Sequence, residues 1–509
     1  MLANPEFVRN VRSQLRPAKI VTAIIIAAAL SLVVGFALTH ITAPAAGRFG
    51  WGVGLLHMLF WVQALILAAG GGIACVNAIY KEKEQNTFDY QRLTRLSPLE
   101  LTLGKLFGAP IFMYFLCACM LPLVVFAAIR GRQSIAFVLA GYVALLVGSL
   151  AFHALALLIS LLIVRGAHTS AIVFVLVILA LFSSIPAGIS YFFQLGSLSP
   201  FYASHVVTQS SWSVAEPAAD VELQMPPDLD IDVFFGRTVR HFPVMVVVDA
   251  LLLAWLLLAL CRNIKRDPHQ YELYSPWQSL GLVLFVNLIL LAFVRWGSAS
   301  LLDVQAALLT VNAVVVGAIG LGQLRSRDRT RRILRVRKET GTSWIDLAWP
   351  APFLFIAATG AGLLVAAAAM RARNPLIAWS PAFAVFRSLF FAAWLMRDLQ
   401  FLQWMALRRG KRPMVMGTLY LAVSYACVGI LLSSTGIFAD ADRVPFTAFF
   451  LPTPIYDLDH AAWMLRPAIW GAAFLAQWLM VALFIYAQRK TVLELAHPAV
   501  PGSVSPIAT

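Results

Sequence analysis

Long apolar runs separated by short polar connections repeat along the whole chain. Each run is long enough for an α-helix to cross the hydrocarbon core of a bilayer, which takes about 20 residues. The pattern predicts an all-α polytopic membrane protein with about twelve transmembrane helices. The predicted spans lie at about 20–40, 51–79, 100–128, 134–164, 169–193, 243–262, 277–295, 300–323, 349–370, 376–400, 413–437 and 467–488.

The segment before the first span predicts a helix that lies on the membrane surface. Asn4 suits the N-cap, Pro5 the first helical position and Glu6 the first turn. Apolar and basic positions then separate onto two faces of a helix over residues 4–19. The apolar face holds Phe7, Val8, Val11 and Leu15, and the basic residues are Arg9, Arg12, Arg16 and Lys19.

Composition and charge fix the environment and the orientation. Of 509 residues, 60% are hydrophobic and 12% are charged, which excludes a soluble domain. The net charge of +15 arises mainly in alternate connections, and Lys and Arg accumulate on the cytoplasmic side of membrane proteins. We therefore expect both termini in the cytoplasm and no nucleic-acid partner. The most basic connection is 324–346. Two partners fit its charge, an anionic lipid or an acidic protein surface.

Two halves of the chain follow the same plan. In each half a polar cytoplasmic stretch follows the second span, and the phrases LSPFY (198–202) and PTPIY (452–456) follow the fifth. Ser97 with Glu100 predicts a capping box before the third span, and Ser343 with Asp346 imitates it in the second half. The predicted domains are an interfacial helix (1–19), a first six-helix unit (20–266), a second unit (267–490) and a tail (491–509).

The stretch EKEQNTFDYQRLTRLSPLELTLGKL, residues 82–106, resembles the cytoplasmic coupling segment of ABC-2 type transporter permeases. The opening NPEFVRNVRSQLR is similar to the amphipathic elbow helix of the same family. Asn86 stands where the family usually has glycine, and asparagine tolerates a left-handed backbone. Arg95 stands where a proline is common. The matching positions are Glu82, Lys83, Glu84, Gln85, Thr87, Ser97, Pro98, Leu99, Glu100, Gly104, Lys105 and Leu106.

The resemblance implies a transmembrane permease subunit of an ATP-driven exporter in the inner (cytoplasmic) membrane. Its coupling segment, 81–98, is expected to dock a separate ATP-binding subunit, in two copies per transporter. The expected coupling residues are Glu82, Glu84, Gln85, Thr87, Phe88, Asp89, Arg92, Leu93, Leu96, Ser97 and Glu100. The resemblance also implies short external helices in the outer loop 194–242.

The chain has no phosphate-binding G-x-x-x-x-G-K-[ST] loop. We therefore expect ATP and magnesium on the partner subunit, no cofactor or metal bound directly, and no enzymatic activity in this chain. The second polar stretch has lost the acidic start and become basic, which predicts unequal contacts with the two ATP-binding subunits. Charge reversal at Glu82 and Glu84 is expected to abolish docking.

Ionisable and polar groups at membrane depth are expensive and invite a functional interpretation. Asp249 and Arg387 either line the transport pathway or hold neighbouring helices together. His153 and Gln63 are more typical of hydrogen bonds between helices. The triple glycine 70–72 permits close helix approach or a bend. The substrate class expected from the resemblance is amphiphilic or lipid-like.

Two other functions fit the sequence. A degenerate ABC-2-like protein that does not transport would act as a scaffold in a membrane complex, and the altered second stretch favours it. An ion-coupled secondary transporter would also have twelve spans, but few membrane carboxylates are available to carry protons. A copurifying ATP-binding subunit separates the exporter from the scaffold, and proton-driven uptake into vesicles without ATP would favour the secondary transporter.

Overall fold

A computed structural model describes residues 4–41, 48–162, 231–234, 237–266, 273–292, 324–340, 381–408, 413–434 and 467–496, with single positions elsewhere. The chain divides into two compact units. Unit 1 comprises Met1–Tyr271 with Ala292–Arg295, and unit 2 comprises Glu272–Leu291 with Trp296–Thr509. Helices dominate both units in the described residues, and six helical stretches are long and apolar enough to cross a membrane. These stretches confirm a helical membrane protein, while twelve spans and an internal repeat stay predictions.

Unit 1 begins with α1 (Pro5–Gln14) and α2 (Pro17–Ile41), which are separated at Leu15. The expected helix over 4–19 is therefore shorter, because Pro17 disfavours helical backbone at the residue before it and starts a new helix. The second apolar run is continuous through α3 (Arg48–Leu65), a π-helical turn (Ile66–Gly71) and α4 (Gly72–Glu84). It extends beyond the predicted end at 79, so the polar residues 80–84 belong to the same helix.

The third predicted span, 100–128, is divided into three helices. They are α6 (Pro98–Gly108), α7 (Ile111–Cys119) and α8 (Leu121–Arg130), and the short α5 (Thr87–Leu93) precedes them. Pro110 and Pro122 lie at the two breaks, since proline lacks the N–H of a regular helix and clashes with the preceding turn.

The rest of unit 1 comprises α9 (Ile135–Leu162), an antiparallel hairpin and α10 (His241–Asn263). In the hairpin, β1 (Ile231–Phe234) pairs with β2 (Arg237–Arg240), with Ile231 opposite Arg240. The described part of the outer segment 194–242 is thus a hairpin that leads into α10, and the expected external helices do not occupy it. Helix α9 lies at the centre of the unit, packed against both α4 and α10.

Unit 2 is described through α11 (Pro276–Ala292), α12 (Arg327–Thr340), α13 (Pro381–Leu407), α14 (Pro413–Ser434) and α15 (Pro467–Ala496). Helix α13 packs against α14 and α15. An aromatic core of Phe390, Trp394 and Trp470 joins α13 to α15, and Tyr425 of α14 packs against it. The predicted spans 169–193 and 349–370 lie outside the described residues, as does most of 300–323.

Candidate functional site

The polar bridge between the second and third apolar runs contains a short helix, α5. Helix α4 ends at Glu84, and Asn86 then adopts the left-handed backbone with φ of 55°. Asparagine is among the few residues that adopt this conformation readily, so α4 ends and α5 begins there without a glycine. The side chains of α5 are consequently held on a turn outside the candidate spans.

The capping box predicted at the start of α6 is present. The Glu100 backbone N–H donates to Ser97 Oγ at 3.2 Å, and the Ser97 backbone N–H donates to Glu100 Oε2 at 2.7 Å. This reciprocal pair fixes where the bridge ends and α6 begins. The positions that imitate it, Ser343 and Asp346, lie outside the described residues.

The predicted coupling residues divide into exposed and buried groups. Phe88 and Glu82 are buried, at 2% and 8% exposure, so neither offers its side chain to a partner. Arg92 and Leu96 are partly buried, and Arg92 pairs with Asp89 at 2.9 Å. The exposed members are Glu84, Gln85, Thr87, Asp89, Leu93, Ser97 and Glu100.

One exposed residue of this segment was missed, and one beside it was named only as a match to the family pattern. The first is Tyr90, which is 74% exposed, and the second is Leu99, which is 53% exposed; Leu93 is 85% exposed. Large apolar side chains this exposed are the signal that identifies them, and only the structure reveals their exposure. We name these three exposed side chains, Tyr90, Leu93 and Leu99, the bridge surface.

Glu82 belongs to an ion cluster with Glu6, Lys105 and Arg9, in which the two carboxylates and Lys105 are buried and the Arg9 side chain is half exposed. Lys105 Nζ lies 3.0 Å from Glu6 Oε1 and 2.5 Å from Glu82 Oε2. Arg9 Nη2 lies 2.8 Å from Glu6 Oε1 and 2.5 Å from Glu82 Oε1. The two carboxylates and two cations balance, and they connect α1, the end of α4 and α6. Glu82 thus has an internal role in the cluster, and its contact with a partner stays a prediction.

Burial and charge act in opposite directions within this cluster. Burial alone would lower the pKa of Arg9, but the carboxylates of Glu6 and Glu82 outweigh it and raise that pKa. Gln91 Nε2 donates to Glu82 Oε1 at 2.8 Å, which attaches α5 to the cluster. The sequence separates Glu6 from Lys105 by 99 positions, so no local pattern could have predicted this pair.

Lys83 fixes the same end of α4 from another side. Its Nζ donates to the carbonyls of Ser160 and Leu161, each at 2.7 Å. A cation at the last carbonyls of a helix satisfies groups that have no partner within the helix and suits the helix dipole. The C-terminal ends of α4 and α9 are thereby held together.

Helix α1 docks closely on α6 because α6 presents glycines at positions 104 and 108. A Cβ atom at Gly104 would lie 2.8 Å from Glu6 Cβ, and one at Gly108 would lie 2.8 Å from Asn10 Cβ. Such glycines allow two helices to approach closely. Asn4 Nδ2 donates to the Glu100 carbonyl at 2.7 Å, and Gln14 Nε2 donates to the Ala109 carbonyl at 2.9 Å.

Replacing Asn4 by alanine is expected to lower the free energy of unfolding by about 1 kcal/mol. The Asn4 side chain accepts from the N–H groups of Glu6 and Phe7, and alanine leaves both without this cap. Thermal unfolding in detergent measures the effect. Asn4→Asp is the matched variant, since aspartate keeps the cap and loses only the donor to Glu100. If both variants lose equal stability, the contact with Glu100 and not the cap carries the effect.

His153 joins three helical segments inside unit 1. Its Nε2 lies 2.8 Å from the Leu67 carbonyl, and its Nδ1 lies 2.9 Å from Tyr114 Oη. A carbonyl only accepts, so Nε2 carries the proton and Nδ1 accepts from the tyrosine hydroxyl. Leu67 belongs to the π-helical turn, whose altered bonding pattern suits a side-chain partner for its carbonyl. This geometry favours the interhelical role considered for His153.

The other predicted membrane-depth residues are all buried. Gln63 is fully buried, and its amide nitrogen and oxygen have no hydrogen-bond partner among the described residues. Asp249 is 6% exposed in unit 1 and Arg387 is 2% exposed in unit 2. Buried positions suit both roles considered for Asp249 and Arg387, which are lining the transport pathway and holding neighbouring helices together.

An ion network in unit 2 was missed. Arg397 Nη2 pairs with Asp398 Oδ1 at 2.6 Å, and Tyr425 Oη donates to Asp398 Oδ2 at 2.5 Å. Arg397 Nη1 also donates to Gln477 Oε1 at 3.0 Å, so the network connects α13, α14 and α15. Adjacent opposite charges within the predicted span 376–400 were the available signal, because charges at such depth are normally paired.

The described residues contain no group of three or more His, Cys, Asp or Glu side chains placed to hold a metal ion. The geometry instead assembles a short exposed helix attached through buried charges to the helices around it. Comparison with known proteins gives no family model, no curated protein and no solved structure that matches this chain.

Proposed function

We propose that this chain is the transmembrane permease subunit of an ATP-driven exporter of the ABC-2 type. A separate ATP-binding subunit docks on the segment 81–98 and drives transport. The observation that carries the proposal is α5, a short helix with exposed apolar side chains that lies between two long apolar helical stretches. The sequence resemblance supplies the identity of the partner.

The bridge surface has the composition of a protein-binding patch. Apolar side chains at its centre, Tyr90 and Leu93, supply burial on docking, and an aromatic residue in such a position is typical of an interface anchor. The exposed carboxylates of Glu84 and Asp89 lie in the same segment and suit the polar rim, where charges fix orientation and register.

A docked partner needs a stiff connection to the membrane helices if its movement is to be transmitted. The ion cluster supplies one, because Gln91 of α5 contacts Glu82 and Glu82 contacts Lys105 of α6. Lys83 attaches the same end of α4 to α9. A displacement of α5 therefore moves several helices of unit 1 together instead of bending a loop.

ATP and magnesium belong to the partner in this proposal, and this chain forms the membrane pathway for an amphiphilic or lipid-like substrate. The second unit presents the basic helix α12 where the first presents α5. The contacts of the two units with ATP-binding subunits are accordingly unequal, and the first is the productive one. The membrane is the cytoplasmic membrane, with both termini inside.

Replacing Leu93 by aspartate is expected to weaken capture of the ATP-binding subunit about tenfold or more, because a buried leucine anchor contributes roughly 1.5–3 kcal/mol. The tagged full chain is isolated from native membranes, and the copurifying chains are identified and assayed for ATP hydrolysis. Leu93→Met is the matched control that keeps an apolar side chain. Glu84→Lys tests the exposed charge, whereas Glu82→Lys would break the buried cluster and is uninformative about docking.

Three results separate the functions. Loss of the ATPase with Leu93→Asp and its retention with Leu93→Met support the permease. Unchanged capture by Leu93→Asp contradicts docking on the bridge surface. If the wild-type chain brings down assembly or redox subunits and no ATP-binding chain, the scaffold replaces the exporter.

A further inference from the structure

The surface of helix α1 divides into three faces. One contacts the rest of unit 1, a second is apolar, and the third is basic. Glu6, Asn10 and Gln14 face α6 or the ion cluster. Phe7, Val11 and Leu15 form an apolar strip along a second face. The third face borders an open groove of about 560 Å³, and its described lining residues are Pro5, Val8, Arg9, Arg12, Ser13 and Arg16.

The groove carries excess positive charge. Arg9 is neutralised by Glu6 and Glu82, whereas Arg12 and Arg16 are exposed and form no ion pair among the described residues. Arg12 lies on α1 and Arg16 follows the break at Leu15, and both line the groove. Ser13 adds a hydroxyl between them.

The position of the groove along the chain sets its depth in the membrane. Helix α2 begins at Pro17, directly after Arg16, and only 17% of its most apolar window is buried within the protein. Exposed residues such as Val21 and Ile25 must then face lipid tails. Arg12 and Arg16 consequently lie where the hydrocarbon core ends, at the level of the headgroup phosphates.

We propose that this groove binds the headgroup of an anionic phospholipid, with Arg12 and Arg16 holding its phosphate. Guanidinium groups recognise phosphate through paired hydrogen bonds, and the groove admits a group of headgroup size. An anionic lipid is favoured over a zwitterionic one because the latter brings an ammonium group towards the same cations. The site does not depend on the ATP-binding partner, because its described lining belongs to α1 and to Arg16, which follows that helix.

The test uses the purified full chain in detergent, with phosphatidylglycerol, phosphatidylcholine or inorganic phosphate added separately. Native mass spectrometry measures retained lipid, and thermal unfolding measures stabilisation. Phosphatidylglycerol is expected to bind and stabilise more than phosphatidylcholine. The double variant Arg12→Gln/Arg16→Gln is expected to bind phosphatidylglycerol about 30-fold more weakly. Each basic residue near an anionic membrane surface strengthens binding roughly fivefold, and the variant removes two of them.

Two controls keep the result specific. Arg12→Lys/Arg16→Lys retains charge and should recover part of the binding. Arg130→Gln/Arg132→Gln removes the same charge from exposed positions at and just beyond the end of α8. An equal loss from both Gln pairs overturns the site, as a general charge effect would produce it. Stabilisation by inorganic phosphate alone overturns the lipid as ligand. Since no ATPase is present, neither outcome bears on partner docking.

Discussion

Replacing Lys105 by methionine is expected to lower the free energy of unfolding of unit 1 by about 3–5 kcal/mol. Lys105 is 1% exposed at its side chain and is the cation that contacts both Glu6 and Glu82 from within the protein. Methionine has a similar length and fills the space, so the loss comes from charge and not from a cavity. The two carboxylates would remain buried with only Arg9 between them.

A second substitution tests this explanation. In Lys105→Met the cluster carries one excess negative charge, and adding Glu82→Gln restores neutrality. The double variant is therefore expected to recover much of the lost stability, although Glu82→Gln alone is destabilising because it leaves an excess cation. Such a non-additive result identifies a direct interaction between two sites.

Thermal unfolding of the detergent-solubilised chain measures the three variants beside Lys81→Met. Lys81 is exposed on α4, one position before Glu82, and a surface change of this kind usually stays within about 0.5 kcal/mol. A Lys105→Met chain as stable as Lys81→Met would show that the cluster does not hold unit 1 together.

The same cluster shows what the sequence could and could not predict. Caps and turns depend on residues a few positions apart, so the roles of Asn4, Ser97 and Asn86 could be derived locally. Glu82 lies in the same kind of polar stretch as Glu84, yet one is buried and the other exposed. Their difference depends on α1 and α6 packing nearby, and the pattern around them does not encode that packing.

The apolar runs likewise predicted where helices occur but not their internal shape. Hydropathy is nearly uniform across 51–79, and it gives no sign of the π-helical turn at Ile66–Gly71. Pro110 and Pro122 are present in the sequence, but the length of the apolar run favoured one continuous span over 100–128. Backbone irregularity follows from individual residues and their contacts, whereas hydropathy averages over about 20 positions.

The contact between Gly71 and His153 supplies the second large effect. Replacing Gly71 by alanine is expected to lower the free energy of unfolding by about 1–3 kcal/mol, the usual cost of overpacking a filled interior. A Cβ at this position would lie 2.2 Å from His153 Nε2, the atom that faces the Leu67 carbonyl. The new methyl group must displace the imidazole ring, which breaks its hydrogen bonds to Leu67 and Tyr114.

Gly35→Ala is the matched control for this substitution. It lies within α2, and a Cβ there would have no atom within 4 Å. Alanine at that position is expected to be neutral or to stabilise by roughly 0.5–1 kcal/mol, because glycine is the poorer helix former. Thermal unfolding of both variants therefore separates helix propensity from the close contact.

The size of the Gly71→Ala effect should depend on His153, so the two substitutions can be combined as a test. In a His153→Ala background the imidazole is absent, so Gly71→Ala should cost much less than it does in the wild-type chain. His153→Ala is itself destabilising, since it leaves the Tyr114 hydroxyl and the Leu67 carbonyl without their partner. If Gly71→Ala costs the same in both backgrounds, the glycine is needed for the π-helical turn itself and not for the approach of His153.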